Sequence, residues 1–175
     1  MEYYLQKQKT IYVGSRWQSE KIKKQKGKKM AQTTERDIKL LEHIYDGAQM
    51  GRDSISQLLK STDNEQFRSA LETQQEEYER LMKDAGEGLR KRGAQPQGIS
   101  MMSKASAAMM TGAKTLMDNS VPNMAEMMIQ GSTMGVTKLT RQLSETGELS
   151  PDVERLSERL IRTEESNIES MKGFL

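Results

Sequence analysis

Two segments with the same glycine spacing stand out in this sequence: LLEHIYDGAQMGRDSISQLL at residues 40–59 and MMIQGSTMGVTKLTRQL at residues 127–143. In each segment apolar residues recur every three or four positions, which is the period of an amphipathic α-helix. GAQMG at 47–51 and GSTMG at 131–135 place glycines inside these helices. A glycine in a helix interior costs about 0.5–1 kcal/mol relative to alanine. The repeated pattern therefore predicts a packing role for the glycines in both helices.

The same spacing predicts four long helices, and no segment shows the alternation of a β-strand. Turn and helix-ending signals separate them: STDN at 61–64, GAQPQG at 93–98 and TGELSPD at 146–152. Thr34 followed by Asp37 resembles a capping signal for the first helix, and Ser150 before Pro151 for the last. The predicted helices cover about 34–60, from STDN to about 92, about 122–146, and 151 to about 171, with a shorter helix within 99–118.

The links between helices predict their arrangement. The first and second helices, and the third and fourth, are joined by short links, whereas a long segment joins the two pairs. A shift of 84 residues aligns Gly47 with Gly131 and Gly51 with Gly135. The sequence thus predicts an all-α fold, a four-helix bundle of two duplicated helical hairpins joined by a long crossover that contains the shorter helix.

Two interpretations of the glycines stay open. Small residues four apart on one helix face let a second backbone approach closely. Alternatively, the glycines make room for a ligand or a bulky aromatic side chain. The close-approach interpretation predicts that Gly51→Leu and Gly135→Leu each lower the melting temperature, because overpacking typically costs about 1–3 kcal/mol.

Positive charge is concentrated at the beginning of the chain. Residues 1–29 contain nine Lys/Arg and two Glu, whereas residues 30–175 contain 18 Lys/Arg and 23 Asp/Glu. We expect a disordered basic tail over 1–29 and the helical bundle over 30–175. Met30 followed by AQTTERD also fits a translation start, so 1–29 is either the product of an incorrect start or a true basic arm that touches RNA or membrane lipids. Deleting 1–29 is expected to leave the melting temperature almost unchanged.

Composition excludes several kinds of site and partner. The sequence has no cysteine and a single histidine, so it offers no disulfide, no thiolate ligand and no multi-histidine metal site. No apolar run is long enough to span a membrane. We expect a cytoplasmic protein with no specific nucleic-acid partner. The Met/Ala-rich segment 99–118 is the expected surface for a homo-oligomer or a protein partner, and its alternative is a lid packed on the bundle.

The two glycine-containing helices resemble the first and third helices of an uncharacterised bacterial branch of the ferritin-like superfamily, over about residues 34–172. Di-iron members of that superfamily use one Glu from each of two helices and a Glu-x-x-His motif from each of the other two. The resemblance makes Glu42 and Glu126 candidates for the single glutamates, and Glu77 and Glu164 for the paired motifs. Both histidines are missing, because Arg80 and Asn167 stand in their places.

The leading expectation is therefore a non-catalytic ferritin-like bundle without a cofactor, acting as a structural or interaction protein. The alternative is a weak carboxylate site for a divalent metal, Mn or Fe, formed by the four glutamates for binding or storage. Two further polar residues carry specific expectations. Gln74 is expected to be a hydrogen-bonded residue of the bundle core, and His43 is expected at the surface.

Overall fold

A computed structural model describes the backbone of residues 2–97 and 120–175, and the side chains of these residues except 2–20 and 22. In this part of the chain it contains four α-helices and no strand. They are α1 Glu2–Leu58, α2 Glu65–Lys91, α3 Val121–Thr146 and α4 Pro151–Lys172. The predicted all-α chain with four long helices is confirmed, whereas the segment 99–118 lies outside the described residues. No described helix is both long enough and apolar enough to cross a membrane.

The first helix is longer than the sequence predicts. It is one continuous helix of 57 residues that begins at Glu2, whereas a disordered tail was expected to precede a start near Thr34. Thr34 lies inside the helix and donates a hydrogen bond from its hydroxyl to the Met30 carbonyl at 2.9 Å, so the predicted N-cap is wrong. No proline interrupts residues 1–60. The side chains of 21 and 23–32 are exposed, so the bundle does not bury this part of α1.

The other helix ends follow the predicted signals. The Asn64 side chain caps α2 by accepting a hydrogen bond from the Phe67 backbone N–H at 2.9 Å. Gly93, two residues after the end of α2, and Gly147, directly after α3, have φ values of +75° and +74°, in the left-handed region that favours glycine. Pro151 opens α4 immediately after Ser150. Local sequence therefore sets these boundaries.

The helices bury one shared apolar core. Helix α1 packs most extensively against α2, and α3 against α4, while α4 also contacts both α1 and α2. At the end of the bundle where α2 begins, the Phe67 ring meets the Phe174 ring edge to face, with centroids 5.1 Å apart. The largest fully buried side chains come from all four helices: Leu40, Leu41, Ile44, Ile55, Phe67, Leu71, Leu81, Leu89, Met124, Leu139, Val153 and Met171.

Candidate functional site

Three polar side chains form a hydrogen-bonded cluster inside the bundle. The Tyr78 hydroxyl of α2 donates to Oε2 of Glu164 on α4 at 2.8 Å. Asn167, one turn after Glu164, donates from Nδ2 to the Tyr78 hydroxyl oxygen at 3.2 Å. All three residues are buried. The cluster therefore joins α2 to α4 in the interior. The amide donates to the phenol, and the phenol donates to the carboxylate.

The second glycine of each pair makes room for this cluster. A Cβ atom added at Gly51 would lie 2.6 Å from the Cε2 and Cζ atoms of the Tyr78 ring. A Cβ at Gly135 would lie 3.3 Å from Oε1 of Glu164. The two glycines at equivalent positions thus receive the two side chains that hydrogen-bond to each other.

This contact selects between the two interpretations of the glycines. At Gly51 the neighbour is a bulky aromatic ring, as in the alternative interpretation, and not a second backbone. The close backbone approach is therefore wrong for Gly51. At Gly47 and Gly131 an added Cβ would meet nothing within 4 Å, so the first glycine of each pair has no packing role in the described structure.

Burial controls the protonation of the cluster. Desolvation raises the pKa of Glu164 above the usual glutamate value, while the Ser132 and Tyr78 hydroxyls act in the opposite direction. Burial and the charge of Glu164 also raise the pKa of Tyr78, so its phenol keeps the proton that it donates. Ser132 lies near enough to favour the ionised carboxylate, although its Oγ makes no hydrogen bond of standard geometry to a described residue.

Gln74 lies one turn before Tyr78 on the same buried face of α2. It is 3% exposed, which confirms its predicted place in the core. Neither its Oε1 nor its Nε2 atom has a hydrogen-bond partner among the described residues, so the predicted hydrogen bond is not found there. A buried amide without partners is costly, about 1–3 kcal/mol per group. The polar atoms in the interior around Tyr78 therefore do not all have hydrogen-bond partners among the described residues.

The four glutamates proposed as metal ligands have different surroundings. Glu164 belongs to the buried cluster. Glu77 accepts hydrogen bonds from Arg80 and from Arg159 of α4, the latter at 3.3 Å. Glu126 is exposed and accepts from Gln130 at 3.3 Å, and Glu42 is half-buried.

No three acidic or histidine side chains in 21, 23–97 and 120–175 lie together as a group able to hold a metal ion. Glu164 accepts a hydrogen bond from the Tyr78 phenol, and the Asn167 amide donates to that phenol, so this cluster brings no second carboxylate to share a cation with Glu164. The residues present thus do not fit the di-iron ligand set implied by the resemblance. Metal binding by the four glutamates stays a prediction without geometric support.

The position of His43 differs from the expectation. It is half-buried on α1, where it was expected at the surface. Desolvation, and secondly the positive charge of Lys138 on α3, lower its pKa below the usual histidine value. The neutral imidazole is therefore favoured at neutral pH.

A second polar cluster, which the sequence analysis missed, ties three helices together at one end of the bundle. Asp37 of α1 is 1% exposed. Its Oδ1 accepts from the Ser150 backbone N–H at 3.0 Å, and its Oδ2 accepts from Nε of Arg92 at 2.9 Å. Arg92 also donates to both carboxylate oxygens of Asp152, at 2.9 and 3.0 Å.

The charges in this second cluster stabilise each other. Burial alone would lower the pKa of Arg92, but its hydrogen bonds to Asp152 and Asp37 raise it overall. The hydrogen bond from Arg92 lowers the pKa of Asp152. The only sequence signal at Asp37 was its place three residues after Thr34, and this was interpreted as local capping.

Comparison of the chain with protein-family models, with curated proteins and with solved structures finds no match. The ferritin-like resemblance therefore stays a prediction from the sequence.

Proposed function

We propose that this chain is a non-catalytic helical bundle, a structural or interaction protein that has the ferritin-like arrangement without its metal centre. The observation that carries the proposal is the environment of Glu164. The one buried glutamate among the four candidates is bonded to Tyr78 and lies beside Asn167, which occupies the position of the missing histidine. A tyrosine donor that is itself held by an amide suits a structural carboxylate, since the phenol fills a lone pair of the carboxylate and neither residue brings further negative charge.

We also propose the duplicated-hairpin architecture for the bundle. Gly51 and Gly135 are 84 positions apart, and each faces a buried side chain from the helix that follows its own. These side chains, Tyr78 and Glu164, meet in a hydrogen bond of 2.8 Å. An internal duplication with pseudo-twofold symmetry would place two such equivalent glycines at the centre of the bundle.

In this proposal the polar cluster specifies how the helices pair. Apolar side chains alone permit several registers between long helices, whereas a buried carboxylate must meet its donors at one register. Glu164 and its donor Tyr78 come from two different helices, α4 and α2. In this proposal the role of Glu164 is to select one packing arrangement of the helices, and it does not need to bind a metal.

Metal analysis of the purified full chain tests the proposal. Protein produced with added iron and manganese is passed through size-exclusion chromatography, and its metal content is measured per chain. We expect far less than one metal ion per chain, and the same content in Glu164→Gln as in the wild type. Glu165→Gln, at an exposed position on α4 that is not among the four candidate ligands, is the control. Stoichiometric iron or manganese that Glu164→Gln loses and Glu165→Gln keeps would contradict the proposal.

A further inference from the structure

A segment of α1 whose described side chains are all exposed carries a dense positive charge. Residues 21–29, KIKKQKGKK, contain six lysines and no acidic residue, and we call them the basic arm. The backbone of this segment is part of the continuous helix, and every described side chain in it is exposed. Among the described side chains of α1, Asp37 is the first that is buried, and the arm precedes it.

A helix rises about 1.5 Å per residue, which gives the basic arm about one positive charge per 2 Å of axis. This density is similar to that of the phosphates on a nucleic acid, about one per 3.4 Å on each strand. The body of the chain repels such a partner, because residues 30–175 carry 18 Lys/Arg against 23 Asp/Glu, and residues 1–20 are nearly balanced, with three Lys/Arg against two Glu. Attraction of a polyanion is therefore strongest at the arm.

The distribution of the lysines around the helix indicates which kind of polyanion fits the arm: a membrane surface, a duplex or a single strand of nucleic acid. Successive residues rotate by about 100° around a helix axis. On this count Lys23, Lys26 and Lys28 point in three different directions, and no apolar face separates them. A helix that binds a membrane surface needs one apolar face and one charged face. A flexible single strand can follow charges around the helix, which a flat membrane and a stiff duplex cannot.

We propose that the basic arm binds single-stranded nucleic acid through its phosphates, without sequence preference. Lysine ammonium groups pair with successive phosphates and release their counterions, so the affinity depends steeply on salt. Four lysines carry the binding: Lys23, Lys24, Lys26 and Lys28. Lys29 is already paired with Glu148 of the α3–α4 link at 3.0 Å, and this contact competes with phosphate.

The test is fluorescence anisotropy of the full chain with a labelled oligothymidylate of about 20 nucleotides, at about 50 to 200 mM salt. A variant with Lys23, Lys24, Lys26 and Lys28 all changed to Gln is compared with a control that has the same net charge. The control changes four exposed lysines outside the arm to Gln: Lys39, Lys60, Lys83 and Lys91.

We expect the arm variant to bind at least about ten-fold more weakly than the wild type, and the salt slope of log K to be shallower by about 3, since each phosphate contributes about 0.7. The control is expected to bind as the wild type does. An equal loss in both variants, or no loss in the arm variant, would overturn the proposal.

Binding to anionic phosphatidylserine vesicles without binding to the oligothymidylate would also overturn it. Circular dichroism checks that both variants remain helical. Metal content has no bearing on this test, so its failure is distinguishable from failure of the proposed function.

Discussion

Gly51 faces the ring of Tyr78. A substitution at Gly51 therefore shows whether packing or helix propensity has the larger effect on stability. Alanine at Gly51 would place its Cβ 2.6 Å from the ring, so the ring must move and its hydrogen bond to Glu164 is strained. We expect Gly51→Ala to lower the free energy of unfolding by about 1–3 kcal/mol. The control is Gly47→Ala, where the added methyl group meets nothing within 4 Å and propensity should stabilise the helix by up to about 1 kcal/mol.

Urea denaturation of both variants measures the two effects, which have opposite signs. Stabilisation by both substitutions would show that the Tyr78 ring does not occupy the space beside Gly51. Gly135→Ala should cost less than Gly51→Ala, because its Cβ would lie 3.3 Å from a carboxylate oxygen that needs to shift by only a few tenths of an ångström. Leucine at either position exceeds the space and should lower the melting temperature.

Glu164 should make the stability of the bundle depend on pH. Its pKa is raised in the folded state, chiefly by desolvation, so the folded chain binds this proton more tightly than the unfolded chain, whose glutamates have pKa values of about 4.3. This contribution to stability is fully present below about pH 4 and is lost as the pH rises through the folded-state pKa.

Glu164→Gln removes the titrating group and keeps the shape of the side chain. We expect the wild type to lose stability relative to this variant as the pH rises from about 4 to 8. The measurement is the difference between their urea midpoints at each pH, because the contributions of all other groups cancel in that difference. A constant difference over this range would contradict the raised pKa.

At the scale of helices, the Asp37 cluster fixes how three helix ends meet. Asp37→Ala leaves the Arg92 guanidinium, which is 12% exposed, with Asp152 as its one remaining carboxylate partner and leaves the Ser150 N–H without its acceptor. Breaking a buried ion pair by removing one partner typically costs about 3 kcal/mol. We expect a loss of this size in the free energy of unfolding from urea denaturation.

Glu76→Ala is a control for the Asp37 cluster, because it breaks an ion pair with Arg80 in which both side chains are more than half exposed. Exposed pairs contribute about 0–1 kcal/mol. Equal losses for Asp37→Ala and Glu76→Ala would show that the Asp37 cluster is no stronger than a surface contact.

For the whole molecule, the N-terminal part of α1 should be dispensable for the stability of the bundle. Side chains 21 and 23–29 are exposed, and Lys29 forms an exposed ion pair with Glu148. We expect a chain that starts at Met30 to melt within about 2 °C of the full chain, since contacts of exposed charged side chains are each worth less than about 1 kcal/mol. Differential scanning calorimetry of the two chains gives the comparison. A large drop would mean that residues 1–29 pack on the bundle.

Most of the helical map follows from the sequence by itself. The three-and-four spacing of apolar residues, the Asn64 cap, the glycines at 93 and 147, and Pro151 are local signals, and each acts within one turn of the residue that carries it. The predicted start of α1 is wrong because a Thr followed three residues later by an Asp has the same pattern in the middle of a helix as at a helix cap.

The buried clusters were decided by tertiary structure alone. Tyr78 and Glu164 are 86 positions apart, Asp37 and Arg92 are 55 apart, and Asp37 and Ser150 are 113 apart. Periodicity shows that Tyr78 faces inward, but the register and crossing of two helices determine which residue it meets. The same limit applies to Gly51: the sequence indicates that a small residue is needed, and only the packed helices show that a tyrosine ring fills the space.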